Sequence, residues 1–279
     1  MLKLLCGLSF VLLFASPLAA REQSDAPDAE ILGFSADGRY FAFEQYQYDI
    51  VSDALVAAIF VVDRQTNKQA EGFPFGLVPE ERDGEFPAKV GGFEPDPKLL
   101  DTNDYEPDLP ALRKALRDAA RPRLDALGIG VQGRRLAGAP MTQRSPQPDA
   151  GAPLGFVLSS TIPGPIPDLQ PAYTITATPE PEVEDCANLM PPARTRKIAF
   201  EVSGSLGYPE TKEIGRVTTT YDWAMEKESC FSAMWIADVI APPAAAEASV
   251  AVLFLATTWE SFTEGASWHA LFVGLPRQP

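Results

Sequence analysis

Ile31-Leu32-Gly33-Phe34-Ser35-Ala36-Asp37-Gly38-Arg39-Tyr40-Phe41-Ala42-Phe43-Glu44-Gln45-Tyr46 is the stretch that decides the fold class. Ile31 to Phe34 is a short apolar strand. Ser35 to Gly38 is a turn, because Asp-Gly supplies residue types that tolerate positive φ in tight hairpins. Arg39 to Tyr46 is a second strand, with Phe41 and Phe43 on one face and Tyr40, Ala42 and Glu44 on the other. A third run, Leu55 to Val62, is rich in β-branched residues and stops at the turn cluster Asp63-Arg64-Gln65-Thr66-Asn67. Together they predict a three-stranded antiparallel meander.

Beyond the meander the chain changes character. Residues 72–110 carry seven prolines, five glycines and ten acids against three bases, which reads as an irregular acidic connector over 72–107. A helix is expected over 108–127. Asp108 is placed to cap it, Pro110 falls in its first turn, and Leu112, Leu116, Ala120, Leu124 and Leu127 mark one face. Gly128 suits the C-terminal cap, and Pro122 predicts a kink or a break, because it has no N–H and clashes one turn back. Residues 140–171 hold eight prolines and read as an extended loop around one strand, Gly155 to Ser160. Strands are expected again at Ala172–Thr178, Lys197–Ser203, Arg216–Trp223, Cys230–Ile240, Ser249–Thr258 and Ser267–Leu275.

The first twenty residues carry Lys3, an apolar run from Leu4 to Phe14, and Pro17-Leu18-Ala19-Ala20, the layout of a secretory signal peptide cleaved after Ala20. The apolar run is shorter than the about 20 residues a spanning helix needs, so no membrane insertion is expected once the leader is cleaved. Net charge is −15, and losing the leader takes Lys3 with it. So acidic a chain repels phosphate backbones and anionic membrane surfaces, which argues against nucleic acid as a partner. Hydrophobic residues make up 46% of the chain, enough for a sizeable core. Outside the leader, which holds Cys6, only Cys186 and Cys230 remain. In an oxidising compartment such a pair is most economically a disulfide, closing a loop of about 44 residues and stabilising by about 3 to 4 kcal/mol. Two buried free thiols are the alternative.

No residue pattern identifies an activity, a cofactor or a metal. Gly128-Ile129-Gly130-Val131-Gln132-Gly133 matches G-x-G-x-x-G, but that fingerprint needs a strand before it and a helix after it, and here it follows a helix. Ser203-Gly204-Ser205-Leu206-Gly207 lacks the first glycine of a nucleophile elbow. His269, the one histidine, lies in a strand pattern and reads as structural. Asp101, Asn103, Asp104 and Asp108 outline at best a weak cation loop, with Tyr105 and Glu106 where a ligand and a glycine belong. Glu180, Glu182, Glu184 and Asp185 read as a solvated acidic loop. Trp223, Trp235, Trp259 and Trp268 read as core residues.

The segment from Gly33 to Glu44, followed by Ile59-Phe60-Val61-Val62-Asp63, resembles one blade of the propeller repeats of periplasmic TolB-like proteins, where an S-x-D-G turn joins two strands and a later strand ends in V-x-D. The order of leader, hairpin, helix ending in Leu127-Gly128-Ile129, and β-rich tail resembles an uncharacterised bacterial family of predicted secreted proteins. That family has no established activity, so no catalytic residue carries over. Residues 47–57 lack the glycines expected between those strands.

The expectation is a single β-rich domain over residues 21–279: mainly antiparallel, propeller-like or sandwich-like, with one helical insertion and a disulfide between Cys186 and Cys230. The expected function is a non-catalytic periplasmic or secreted protein that binds an envelope protein or a small ligand. The alternative is a hydrolase of envelope polymers or glycans run by a pair of carboxylates, one with a raised pKa.

Overall fold

The computed structural model describes residues 26–49, 52–79, 86–100, 108–138, 154–157, 172–179, 197–206, 212–222, 230–243, 249–260 and 263–276. The meander is present as β1 (Asp28–Ser35), β2 (Tyr40–Asp49) and β3 (Ala54–Asp63), paired antiparallel in sequence order. Its first turn is held by short polar contacts. Gly38 N donates to Ser35 O, the Ser35 hydroxyl donates to Asp37 at 2.6 Å, and Tyr40 N donates back to Ser35 Oγ. Asp63, at the end of β3, accepts from Arg39 at 2.7 Å and from Gln65 N. Ser35, Asp37, Arg39 and Asp63 therefore close the two turns at one end of the meander.

Four short strands that the sequence pattern does not separate complete this first sheet. β4 (Lys68–Gln69) and β5 (Phe75–Val78) pair with β3, and β6 (Ala88–Val90) pairs with β5. The 72–107 connector is thus partly sheet, with a 3-10 turn at Pro97–Leu100. Helix α1 (Leu109–Ala126) has Asp108 as its N-cap, accepting from Ala111 N at 2.9 Å. Contrary to the expected break, α1 runs unbroken through Pro122. Pro122 and Asp118 both lie on the exposed side, so the carbonyl that loses its donor faces water. β7 (Ile129–Val131) then pairs with β1, giving a seven-stranded first sheet with the path β6-β5-β3-β2-β1-β7.

From β7 the chain passes into a second sheet at β8 (Arg134–Gly138). An outer sheet follows, β12-β11-β10-β9, from β9 (Leu154–Val157), β10 (Ala172–Pro179), β11 (Lys197–Leu206) and β12 (Lys212–Asp222). β13 (Cys230–Ala241), β14 (Ser249–Glu260) and β15 (Thr263–Gly274) complete the second sheet as β15-β14-β13-β8. The protein is mainly β, built from antiparallel sheets with one α-helix, and its layers are sandwich-like.

The layer order follows from the apolar alternation. Phe34, Phe41 and Phe43 of the first sheet pack against Ala251, Leu253, Leu255, Ala270 and Phe272 of the second. Val250, Val252, Phe254 and Ala256, on the opposite face of β14, pack against Ile175, Ile198, Phe200 and Val202 of the outer sheet. The second sheet is therefore the middle layer. β14 reads as an unbroken apolar run because both of its faces are covered. On the far side of the first sheet, Leu112, Leu116 and Ala120 of α1 pack on Ala57, Ile59 and Val61 of β3. Each large apolar side chain so buried contributes about 1.5 to 3 kcal/mol.

Candidate functional site

Among the described residues five polar side chains are buried: Ser35, Glu44, Gln45, Asp63 and His269. Buried polar groups are the natural places to look for chemistry, since each must be matched by a partner or serve a purpose. Ser35 and Asp63 belong to the turn clasp described above. The other three define two regions.

The first lies under α1. Alternation along β2 puts Glu44 on the helix side, beside Ala42 and Tyr46, where its side chain is 0% exposed. The helix answers with Arg113 and Arg117, one turn apart and flanking Leu116. Arg113 Nε donates to Glu44 Oε1 at 2.8 Å, and Arg117 Nε to Oε2 at 2.7 Å. Glu30, directly opposite Glu44 on β1, takes one contact from each arginine at 2.6 Å. The Arg113 guanidinium also sits 3.3 Å from the centroid of the Tyr46 ring.

Glu30 and Glu44 form a carboxylate pair across adjacent strands, the residue types a glycosidase uses. Their electrostatics are unsuited to that work. The hydrogen bond from Arg117 holds the Glu30 carboxyl below its usual range, although burial pulls the other way. A general acid needs the opposite shift. Burial also works against the charge on Arg113, but the Glu44 carboxylate outweighs it and keeps the guanidinium firmly charged. The cluster joins the helix to the sheet.

The second region lies between the middle and outer sheets. Alternation along β15 sends Trp268 toward the first sheet and Ser267 and His269 toward the outer sheet. Ser267 Oγ is 2.7 Å from His269 Nε2, and the Tyr221 hydroxyl of β12 is 3.2 Å from Nδ1. The Phe254 ring packs against the imidazole, tilted by 34°, with 5.3 Å between centroids. A serine, a histidine and a third group orienting the ring have the outline of an activated nucleophile. The energetics oppose it. Burial lowers the His269 pKa to about 3, and burial likewise raises that of the Tyr221 phenol. A base that resists protonation this strongly is poorly matched to taking a proton from serine at neutral pH.

Asp238, beside a bulge in β13, is different in kind. Burial pushes its carboxyl above the usual range, and the Arg135 guanidinium, which donates to it, only partly offsets this.

Gln45 faces the middle sheet and accepts from Trp268 N at 2.8 Å. The Trp268 indole donates to Pro27 O at 2.5 Å. Asn67 clasps the same strand edge further along, donating to Phe272 O and accepting from Phe272 N. These contacts fasten β15 to the first sheet and satisfy an edge that would otherwise offer open backbone groups.

The remaining residues flagged in the sequence fall as follows. In the G-x-G-x-x-G match, Gly128 takes φ +67 just past the helix end and Gly133 sits at the crossing between sheets. A Cβ on Gly133 would lie 2.3 Å from the Phe34 ring and 2.7 Å from Ile240. The glycines serve helix termination and sheet crossing, and strands follow them. Ser203, Gly204 and Ser205 lie within β11, away from any strand-to-helix turn. Trp268 is buried and Trp235 partly so, both packed in the core between the first and middle sheets. Asp108 caps α1, while Asp101, Asn103, Asp104, Glu180 to Asp185, Cys186 and Trp223 lie outside the described residues, as do the side chains of Cys230 and Trp259. No group of metal-ligating side chains occurs among the described residues, and no described helix is long and apolar enough to cross a membrane.

The charged cluster escaped the sequence reading because Glu44 and Arg113 are 69 residues apart. Its signal was Glu44 on the face of β2 that also carries Ala42, with Arg113 and Arg117 beside the apolar stripe of the helix. No protein-family model matches the chain, and no curated protein or solved structure was found to match it.

Proposed function

We propose that the chain is an exported protein that binds another envelope protein or a small ligand without catalysing a reaction. The observation that carries this reading is the use made of the five buried polar side chains. Each is engaged in holding a turn, a helix or a pair of sheets together. The leader and the likeness of residues 31–63 to one blade of an interaction scaffold support it. The outer face of the outer sheet, where Thr174, Thr178, Thr218 and Thr220 are exposed, is the surface to probe.

A photo-crosslinking residue at Thr174 or Thr218 is expected to give a reproducible periplasmic adduct, with Lys114 on the far side of the molecule as the comparison. Absence of any adduct from Thr174 and Thr218, or an equal yield from Lys114, counts against a binding role for this face. The alternative hydrolase reading is favoured by one observation, the raised carboxyl of Asp238. It requires measurable turnover of an envelope glycan that is lost in Asp238→Asn while the fold is kept.

A further inference from the structure

We propose that His269 is an acid-sensitive latch between β12 and β15, so that taking up a proton on the imidazole releases the edge of the outer sheet from the middle sheet. The geometry carries the argument. His269 is 8% exposed and spans the interface, with one ring nitrogen toward its own strand and the other toward Tyr221 of β12. Among the described residues, Ser267 of β15, Phe254 of β14 and Tyr221 of β12 face it. Tyr221 is the titratable member of that set, and burial keeps its phenol neutral.

A neutral ring donates through one nitrogen and accepts through the other, which suits two hydroxyls that can each do either. An imidazolium must donate through both nitrogens and carries its charge into the packed core around Phe200, Val252 and Phe254. Separating β12 from β15 gives that charge access to water. Burial disfavours protonation in the closed state, as the depressed pKa of the ring reflects. The open state takes up the proton at an ordinary pKa of about 6.5. Acidification below that value therefore favours opening, by up to about tenfold per pH unit.

The chain has one histidine, so its imidazole resonances need no assignment by mutation. The test follows those resonances by NMR in the full-length protein from pH 7.5 to 4. Amide exchange in β12 and β15 is measured alongside, corrected for intrinsic chemistry, with β2 and β3 as the internal reference. The expected result is an imidazole that stays neutral in the closed form to pH 5 or below. Protection in β12 and β15 should fall by up to about tenfold per pH unit below 6.5, with β2 and β3 unaffected. In His269→Gln that pH dependence should disappear. A folded-state imidazole that titrates near its ordinary value overturns the proposal on wild-type protein alone, even if the variant does not fold. So does the same loss of protection in His269→Gln.

Discussion

The two buried ionisable regions solve one problem in opposite ways. Under α1 a fully buried carboxylate is met by two guanidiniums, a second carboxylate and an aromatic face, so charge answers charge. Between the middle and outer sheets, among the described residues, a buried imidazole meets two hydroxyls and a phenyl ring. In the first region the hydrogen bond from Arg117 holds the Glu30 carboxyl below its usual range. The second stays closed by staying neutral. The comparison teaches that depth of burial alone does not set how a site responds to acid; the charge of its partners does.

The largest effect that would sharpen this contrast is expected from Glu44→Ala. It leaves two arginines facing a sheet with only Glu30 to receive them, and should cost about 3 kcal/mol in urea unfolding at pH 7. A loss below about 1 kcal/mol would mean that the arginines swing out to water and that the cluster is not a fastening.

Next comes the pH dependence. Glu30 and Asp63 have folded pKa values below their unfolded ones, lowered chiefly by Arg117 and Arg39 respectively. Their contribution is present above the usual carboxylate range and is lost as pH falls through it toward the lowered values. His269 has a folded pKa of about 3 against about 6.5 unfolded. Because the unfolded chain binds that proton first, stability falls as pH drops from 6.5 toward 3. From pH 7.5 to 5 the wild type should lose about 2 kcal/mol relative to His269→Gln, measured by urea melts at each pH. Parallel profiles would erase the distinction between the two regions.

A smaller change is expected from Tyr221→Phe, which removes one hydrogen-bonding partner of the ring and keeps its shape. The cost should be about 1 kcal/mol in the same assay. At the small end, Asp118→Asn on the exposed face of α1 breaks contacts to Lys114 and Arg121 and should leave the melting temperature where it is. A clear drop would show that the helix leans on its surface pairs rather than on Glu44.

The sequence was most legible where a residue's neighbours are close along the chain. The β1–β3 meander and α1 were readable because alternation, the Asp-Gly turn and the Asp108 cap act within a few residues. β5 to β8 were not, because strands of three to five residues exist only by pairing with an edge supplied from elsewhere. The 3.6-residue pattern places the apolar stripe of α1 correctly, while the helix does not break at Pro122, since the cost of its missing N–H depends on which side faces water. The strand setting alone marks His269 as structural. Its partner Tyr221, 48 residues away, was not visible.

The middle layer is assembled mostly from the last strands of the chain, and this sets an order of events during synthesis. Phe34, Phe41 and Phe43 leave the ribosome some two hundred residues ahead of the β14 and β15 side chains that cover them, as the 223-residue separation of Gln45 from Trp268 illustrates. The oldest part of the polypeptide therefore waits, greasy side outward, for the youngest. A chain stopped near residue 250 would lack nearly all of β14 and β15 and leave that apolar face of the first sheet uncovered.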